Sequence, residues 1–569
     1  MRARPAREAA PVDEVKRNQL WILSAFLFVV GLVAVFVTET DYGVASDVPN
    51  YFASSIRQLA WLKKLVLSLL GGGSTMEVLS HESVLEHWRW MPFRIPHPPL
   101  SREISGITWL LFRDSFDTIT AYRVGVMLAY AALVAGCASF TAVAGKSLLA
   151  GVGAGLSILT IPVLFAHGHL AHTDLFLTTF WFGAAAHAYL WTDGRDRRHL
   201  FGSGLLLGAA LATKFSGLLA IPALCCWIIL KRPREAASAI AILLLTAAFV
   251  LFATNPVFWV DPALAISDYL GAGLDRADDI RSMIRTEYFS RIYVYRAAWH
   301  YPFVWTLIVL PPTLIVAIAA AFFDRDRRWV TGFSLLNIAP LYAALMLPTA
   351  PMHDGPRLVL PAFAFFAVLA GIGFRFIAAR ARRLSTRRSE AGAPWLAVIV
   401  GIMLFAPAAG AVIRTHPYQL SYANLLIGGT RGVEAKGLEV TNLKEVLNDE
   451  ALRDMAALIP EGATIDAGFF LEEMCFYRFL EKIPRSWALE ASWLNPDRTE
   501  VGQTLVCTMS PVPEIVAEDR IPSDAEYLLV LNRKAMWRPV EWALYEGQED
   551  PIYRVSLEGV PLLSVYRFR

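Results

Sequence analysis

Eleven apolar stretches dominate this chain, most of them about twenty residues long and the fifth and sixth shorter and closely joined. A helix of that length crosses a bilayer and satisfies its own backbone polar groups on the way. The stretches fall at 20–38, 121–143, 147–166, 173–192, 200–213, 215–230, 236–254, 302–323, 330–348, 357–379 and 394–413. With 55% hydrophobic residues and only 18% charged in 569, the chain reads as a polytopic membrane protein. Disorder, collagen and coiled coil are excluded. The 17 Trp suit a chain with many membrane interfaces.

Charge placement tests this division. The basic residues of the tail 1–19 and of alternate short connections fall on one side: Lys146, Arg195 to Arg198, Lys231 to Arg234, Arg325 to Arg328 and Arg380 to Arg388. The opposite short connections carry only Lys214 and Arg357. The positive-inside rule then places the N-terminus in the cytoplasm. It leaves the loops 39–120 and 255–301 and the region 414–569 outside. That last region holds 16 Lys and Arg against 24 Asp and Glu, and it has strand-like runs at 526–531 and 561–568. A small extracytoplasmic α/β domain is expected there. Residues 54–70 have the spacing of a helix lying in the interface. No clustered basic face suggests a nucleic-acid partner. Cys137, Cys225 and Cys226 sit in apolar spans as packing residues. Cys475 and Cys507 could pair in an oxidising compartment.

With this topology nine of the eleven His lie on or near the outer side, and ionisable groups at membrane edges are functional candidates by default. Asp47, about nine residues past the first span, is either a base for an acceptor hydroxyl or a helix N-cap. His97 precedes Pro98 and Pro99, which fix its position, and its imidazole could donate to a phosphate. The run 166–176 offers His167, His169, His172 and Asp174, as a divalent-metal cluster or as the polar mouth of a span. Lys214 either snorkels or binds an anion. His353, Asp354 and Arg357 open the tenth span, with Arg357 as a fork for phosphate or as an interface anchor. His300 stands at the end of the second long loop. Carboxylates for a base beside cations for a phosphate close to lipid fit transfer from a lipid-phosphate donor to a hydroxyl. No Walker loop, nucleophile elbow, kinase signature or Rossmann pattern is present.

The segments SDVPNYF, HPPL, AHTDLFLTTFWF, ATKFSGLLAIPAL, WHYPFV, HDGPRLVLPAFAFF and HPYQLSYANLLIGG occur in this order. In style and order they resemble the GT-C membrane glycosyltransferases, especially bacterial relatives of the protein O-mannosyltransferase and aminoarabinose transferase clan. The resemblance covers roughly residues 20–450. It implies a GT-C transmembrane domain at 20–413, of about eleven helices, in the bacterial inner membrane. It implies a polyprenyl-phosphate sugar as donor and a protein, glycan or lipid hydroxyl as acceptor. Asp47 and Asp174 would be catalytic, with His97, Lys214 and Arg357 on the donor phosphate and His172, His300, His353 and Asp354 lining the pocket. No cofactor is required; a divalent metal, if any, would fall to His167 and His169. The competing readings are a transporter or flippase, against which the missing internal repeat counts, and a non-catalytic subunit of the same fold.

Overall fold

A computed structural model describes residues 15–89, 97–274, 285–348, 350–386, 395–490 and 525–568. The tail 1–14, the end of the basic linker at 381–393 and Cys507 lie outside these residues. The described chain is mostly helical, with a sheet region at its C-terminal end.

Six helices are long and apolar enough to cross a membrane: Arg17–Asp41, Thr118–Ala144, Ala236–Ala253, Arg325–Met346, Arg357–Leu384 and Trp395–Arg414. A seventh crossing would be the bent pair Tyr301–Val309 and Pro312–Ala321. These spans make the chain an integral membrane protein. The remaining expected stretches form shorter or less apolar helices, Leu148–Thr160, Thr173–Gly194, Arg197–Leu211 and Ala220–Lys231. Among the described residues the eleven expected stretches thus appear as six long apolar helices, one bent pair and four shorter or less apolar helices. Proline explains two of the differences. Stretch 147–166 breaks at Ile161, ahead of Pro162. Stretch 302–323 bends by 111° at Leu310–Pro311. A proline lacks the N–H that would continue the ladder and clashes with the preceding turn.

The break frees carbonyls that lipid could not satisfy. Asn424 takes them: its side-chain amide donates to Leu307 O at 2.6 Å and Leu310 O at 2.8 Å, and its backbone N–H to Ile308 O at 2.9 Å. The asparagine of the HPYQLSYANLLIGG run thus repairs a broken span.

Burial separates centre from rim. The apolar window of Arg357–Leu384 is 72% buried, whereas that of Arg17–Asp41 is 17% buried and faces outward. Small residues admit the close packing at the centre. A Cβ on Gly373 would stand 1.7 Å from Ala317 O, and one on Gly371 2.4 Å from Ala150 O.

The helix expected over 54–70 is present as Val48–Leu69, packed against His81–Trp88 and Leu100–Phe112. Its far end leaves Leu69, Leu70 and, beyond it, Met76 exposed.

At the C-terminal end five strands form one sheet in the order Ala488–Glu490, Thr464–Asp466, Tyr527–Leu531, Val560–Arg567, Tyr553–Leu557. The first three are parallel and the last two antiparallel to their neighbours. The runs expected at 526–531 and 561–568 are its third and fourth strands. Between the last span and this sheet, residues 439–448 run without regular structure and are buried throughout.

Candidate functional site

The chain leaving the first span is clamped before it reaches Asp47. Arg123, on Thr118–Ala144, pairs with Glu39 at 3.2 Å and donates to Tyr42 O and Gly43 O at 3.0 and 2.7 Å. Gly43 N–H donates to Glu445 O and Ser46 N–H to Leu443 O, at 3.0 and 2.8 Å. The loop is thus pinned on one side by the membrane helices and on the other by 443–445. A side chain at Gly43 would meet Leu447 O at 2.2 Å, so the two segments approach as closely as a glycine permits.

Asp47 follows with φ 68°, the left-handed region. Asp tolerates that region better than most residues, and such conformations concentrate at functional sites. It precedes Val48–Leu69, but its side chain caps no N–H of that helix. The carboxylate instead meets His172 Nε2 at 3.4 Å and Arg357 Nη2 at 3.5 Å, with 48% of the side chain exposed. Burial alone would push its pKa up. The His172 hydrogen bond and the Arg357 guanidinium outweigh that and hold the carboxyl well below the usual range, with His97 adding in the same direction.

Behind Asp47 lies a buried ionic cluster. Asp174 stands in the first turn of Thr173–Gly194, the helix end where a carboxylate is favoured. It receives Lys214 Nζ at 2.5 Å, Arg357 Nε at 2.9 Å and His172 Nδ1 at 2.7 Å. Arg357 Nη2 also lies 2.7 Å from His172 Nε2, and its Nη1 donates to Asp354 Oδ2 at 2.8 Å. His353 Nδ1 meets that same oxygen at 2.7 Å. Asp354 has φ 57°, a second left-handed acidic residue in the cluster. The result is a half-exposed carboxylate at the mouth and a dense set of paired charges beneath it.

The structure therefore joins Asp47, His172, Asp174, Lys214, His353, Asp354 and Arg357. His97 is 5% exposed and close enough to Asp47 to act on it electrostatically. His300 goes elsewhere: its Nδ1 meets Tyr288 Oη at 2.7 Å. His167 and His169 also serve the fold. His167 Nδ1 donates to Val163 O at 2.7 Å. His169 spends both nitrogens, on Thr38 Oγ1 at 2.8 Å and Phe165 O at 2.9 Å, while its ring stacks on Tyr42 at 4.0 Å. Among the described residues no three His, Cys, Asp or Glu form a metal-ligand set.

Sequence reasoning missed the buried segment 439–448 and its partners. Lys444 pairs with Glu473 at 3.0 Å, and Asn50, one turn past Asp47, donates to Glu472 Oε2 at 3.0 Å. Arg533 reaches Asp354 Oδ1 at 2.8 Å. Glu445 is 1% exposed, and burial pushes its carboxyl up to about 7 against backbone N–H donors at Leu443 and Glu445 itself. A carboxyl raised on folding stabilises the fold below its unfolded pKa, and that stability is lost as pH rises toward 7. Glu445→Gln is therefore expected to raise the melting temperature near pH 8, by the equivalent of up to about 3 kcal/mol, and to change little near pH 4. Thermal melts of the purified protein at the two pH values check this.

Comparison with known proteins follows the same residues. Residues 97–259 match the family model for dolichyl-phosphate-mannose-protein mannosyltransferases. That segment contains His97, His172, Asp174 and Lys214. The match bears out, over that segment, the resemblance to GT-C glycosyltransferases. No curated protein sequence matches the chain. Among solved structures, ArnT from Cupriavidus metallidurans bound to undecaprenyl phosphate is similar at TM-score 0.49 and 12% identity, over 96% of this chain and 98% of that one. The apo state of the same protein gives 0.47 and 14%, over 97% and 98%. The S. cerevisiae protein O-mannosyltransferase Pmt1-Pmt2 complex bound to the sugar donor gives 0.32 and 16%, over 45% and 35%.

Proposed function

We propose that this chain is a glycosyltransferase of the bacterial inner membrane. It moves a sugar from a polyprenyl-phosphate donor to a hydroxyl acceptor on the extracytoplasmic face, with Asp47 as general base. The observation that carries this reading is the pairing of a half-exposed Asp47 carboxylate with the buried Arg357 and His172 directly behind it. A base must reach the acceptor, and a leaving phosphate must meet positive charge out of bulk water.

In the proposed step, Asp47 takes the proton of the acceptor hydroxyl. The acceptor oxygen forms its bond to the anomeric carbon as the bond from that carbon to the phosphate oxygen breaks. The electron pair leaves with the polyprenyl phosphate, and one displacement inverts the anomeric centre. Arg357 and His97 are the groups placed to stabilise the developing phosphate charge. Lys214 is bound to Asp174 and acts through it, which moves Lys214 from direct phosphate contact to support. Asp174, held by Lys214, Arg357 and His172, keeps Arg357 and His172 in place and is not the base. The acceptor approaches from the sheet-bearing side, where Asn50, one turn past Asp47, donates to Glu472.

The reading is tested with purified protein in liposomes, a panel of polyprenyl-phosphate sugars, and extracts that supply acceptors. Acceptor-dependent release of polyprenyl phosphate from one donor is expected. Lipid scrambling without turnover of any donor would sink the proposal in favour of transport.

A further inference from the structure

Arg533 belongs to the C-terminal sheet region, two residues past the strand Tyr527–Leu531, yet it is 7% exposed and reaches the ionic cluster of the membrane domain. Its Nη2 meets Asp354 Oδ1 at 2.8 Å. Its Nη1 donates to Asn442 O at 3.0 Å, its Nε lies 3.5 Å from Glu439, and its guanidinium stands over Phe469 at 5.7 Å. Four contacts, three within the C-terminal region and one to Asp354 of the membrane part, fix where this guanidinium points.

Asp354 divides its two oxygens. Oδ2 accepts from Arg357 Nη1 and from His353 Nδ1, while Oδ1 faces Arg533. That division sets the rotation of the Arg357 fork. With one Nη on a single oxygen of Asp354, the fork keeps Nε on Asp174 and the other Nη toward His172 and Asp47. A carboxylate released from Arg533 would turn both oxygens to Arg357, since the bidentate arrangement is the strong one. The guanidinium would then rotate away from Asp174 and Asp47. Glu439, the second carboxylate beside Arg533, does not compete fully for it. Burial raises the Glu439 carboxyl to about 7, despite Arg533, so near neutral pH it is partly uncharged.

We propose that Arg533 is a positioning residue for the transfer reaction, through which the C-terminal region sets the orientation of Arg357 by way of Asp354. This rests on the glycosyltransferase reading above. The full-length protein in liposomes is compared as wild type, Arg533→Met, Arg533→Lys, Asp354→Asn and the Arg533→Met/Asp354→Asn double variant. Arg533→Met is expected to lower kcat by about 10²-fold, the cost of a misplaced group, with the donor KM within about threefold. Arg533→Lys keeps the charge and should recover part of the loss. The double variant should be no worse than the poorer single one, because both act through one link.

A change in melting temperature with kcat untouched would make Arg533 only a fastener between the two regions and would overturn the proposal. Additive losses in the double variant would overturn it as well. Absence of turnover in the wild type would mark failure of the glycosyltransferase reading instead. The positioning link would then be read from binding of polyprenyl phosphate in vesicles. The free phosphate carries the charge that the donor develops only in the transition state, so there equal affinity of wild type and Arg533→Met rejects the link, and non-additive weakening supports it.

Discussion

Asp47→Asn is expected to lower turnover by about 10²- to 10⁴-fold while leaving donor affinity unchanged or tighter. Asn has the same shape and keeps an oxygen for the Arg357 N–H, so the cluster behind it should stand. What disappears is the basicity of the carboxylate, since an amide oxygen accepts a hydrogen bond but not the acceptor proton. The negative charge beside the incoming phosphate disappears too, which gives donor binding its expected sign. The pH dependence follows from the same contacts. His172 and Arg357 hold Asp47 well below the ordinary carboxylate range, so it is ionised throughout pH 5–8. Its protonation therefore adds no acid limb to the rate profile in that window. A carboxylate held so firmly is a weak base at rest. On the proposed reading, a donor phosphate would compete for the Arg357 Nη2 that faces Asp47 at 3.5 Å and would make that carboxylate a stronger base. Steady-state kinetics beside equilibrium donor binding check the split; a parallel loss in both would remove Asp47 as the base.

The parts of this site that sequence reading found share one property. Asp174, Lys214 and Arg357 are charges next to apolar runs, where ionisable groups are costly, and Asp47 and His172 flank the same runs. The fold then brought them within hydrogen-bonding distance of one another. The histidines divided differently. His169 and His172 are three residues apart and look alike in sequence, yet one stacks on Tyr42 and the other bridges two carboxylates. Only the turn ahead of Thr173 decides which points where. Arg533 was illegible because its neighbours Asn532, Lys534 and Arg538 are polar, so nothing local marks it as buried. Its partner is a loop residue of the membrane domain, and that pairing is a property of the assembled fold. Arg123 and Glu39 were legible and overlooked: each lies in or at the end of an apolar span, and each is buried against the other. Helix length misled for a simple reason. Apolar content continues through Pro162 and Pro311, and the helix does not.

Asp174→Ala is expected to be the most damaging single change in the membrane domain. Asp174 is 2% exposed and is the shared anion of Lys214, Arg357 and His172. Its removal leaves buried cations facing each other without their common counter-ion, a loss of about 3–5 kcal/mol for a buried pair broken on one side. The fold cannot hydrate them cheaply, since Lys214 and Arg357 are each only 7% exposed. Folded yield and melting temperature should fall together, before any question of catalysis arises. Adding Lys214→Met removes one of the stranded charges, so the double variant should recover part of the lost stability. The recovery separates the two roles that a carboxylate here could have. If Asp174 were the base, restoring the fold would leave turnover lost to the same degree as in Asp47→Asn. If Asp174 instead orders Arg357 and His172, the double variant should regain measurable turnover with a raised donor KM, because Arg357 keeps Asp354 as an anchor. Melting curves and kinetics on the four members of that cycle decide between a base and a counter-ion, and the two close cations on Asp174, Lys214 and Arg357, favour the counter-ion.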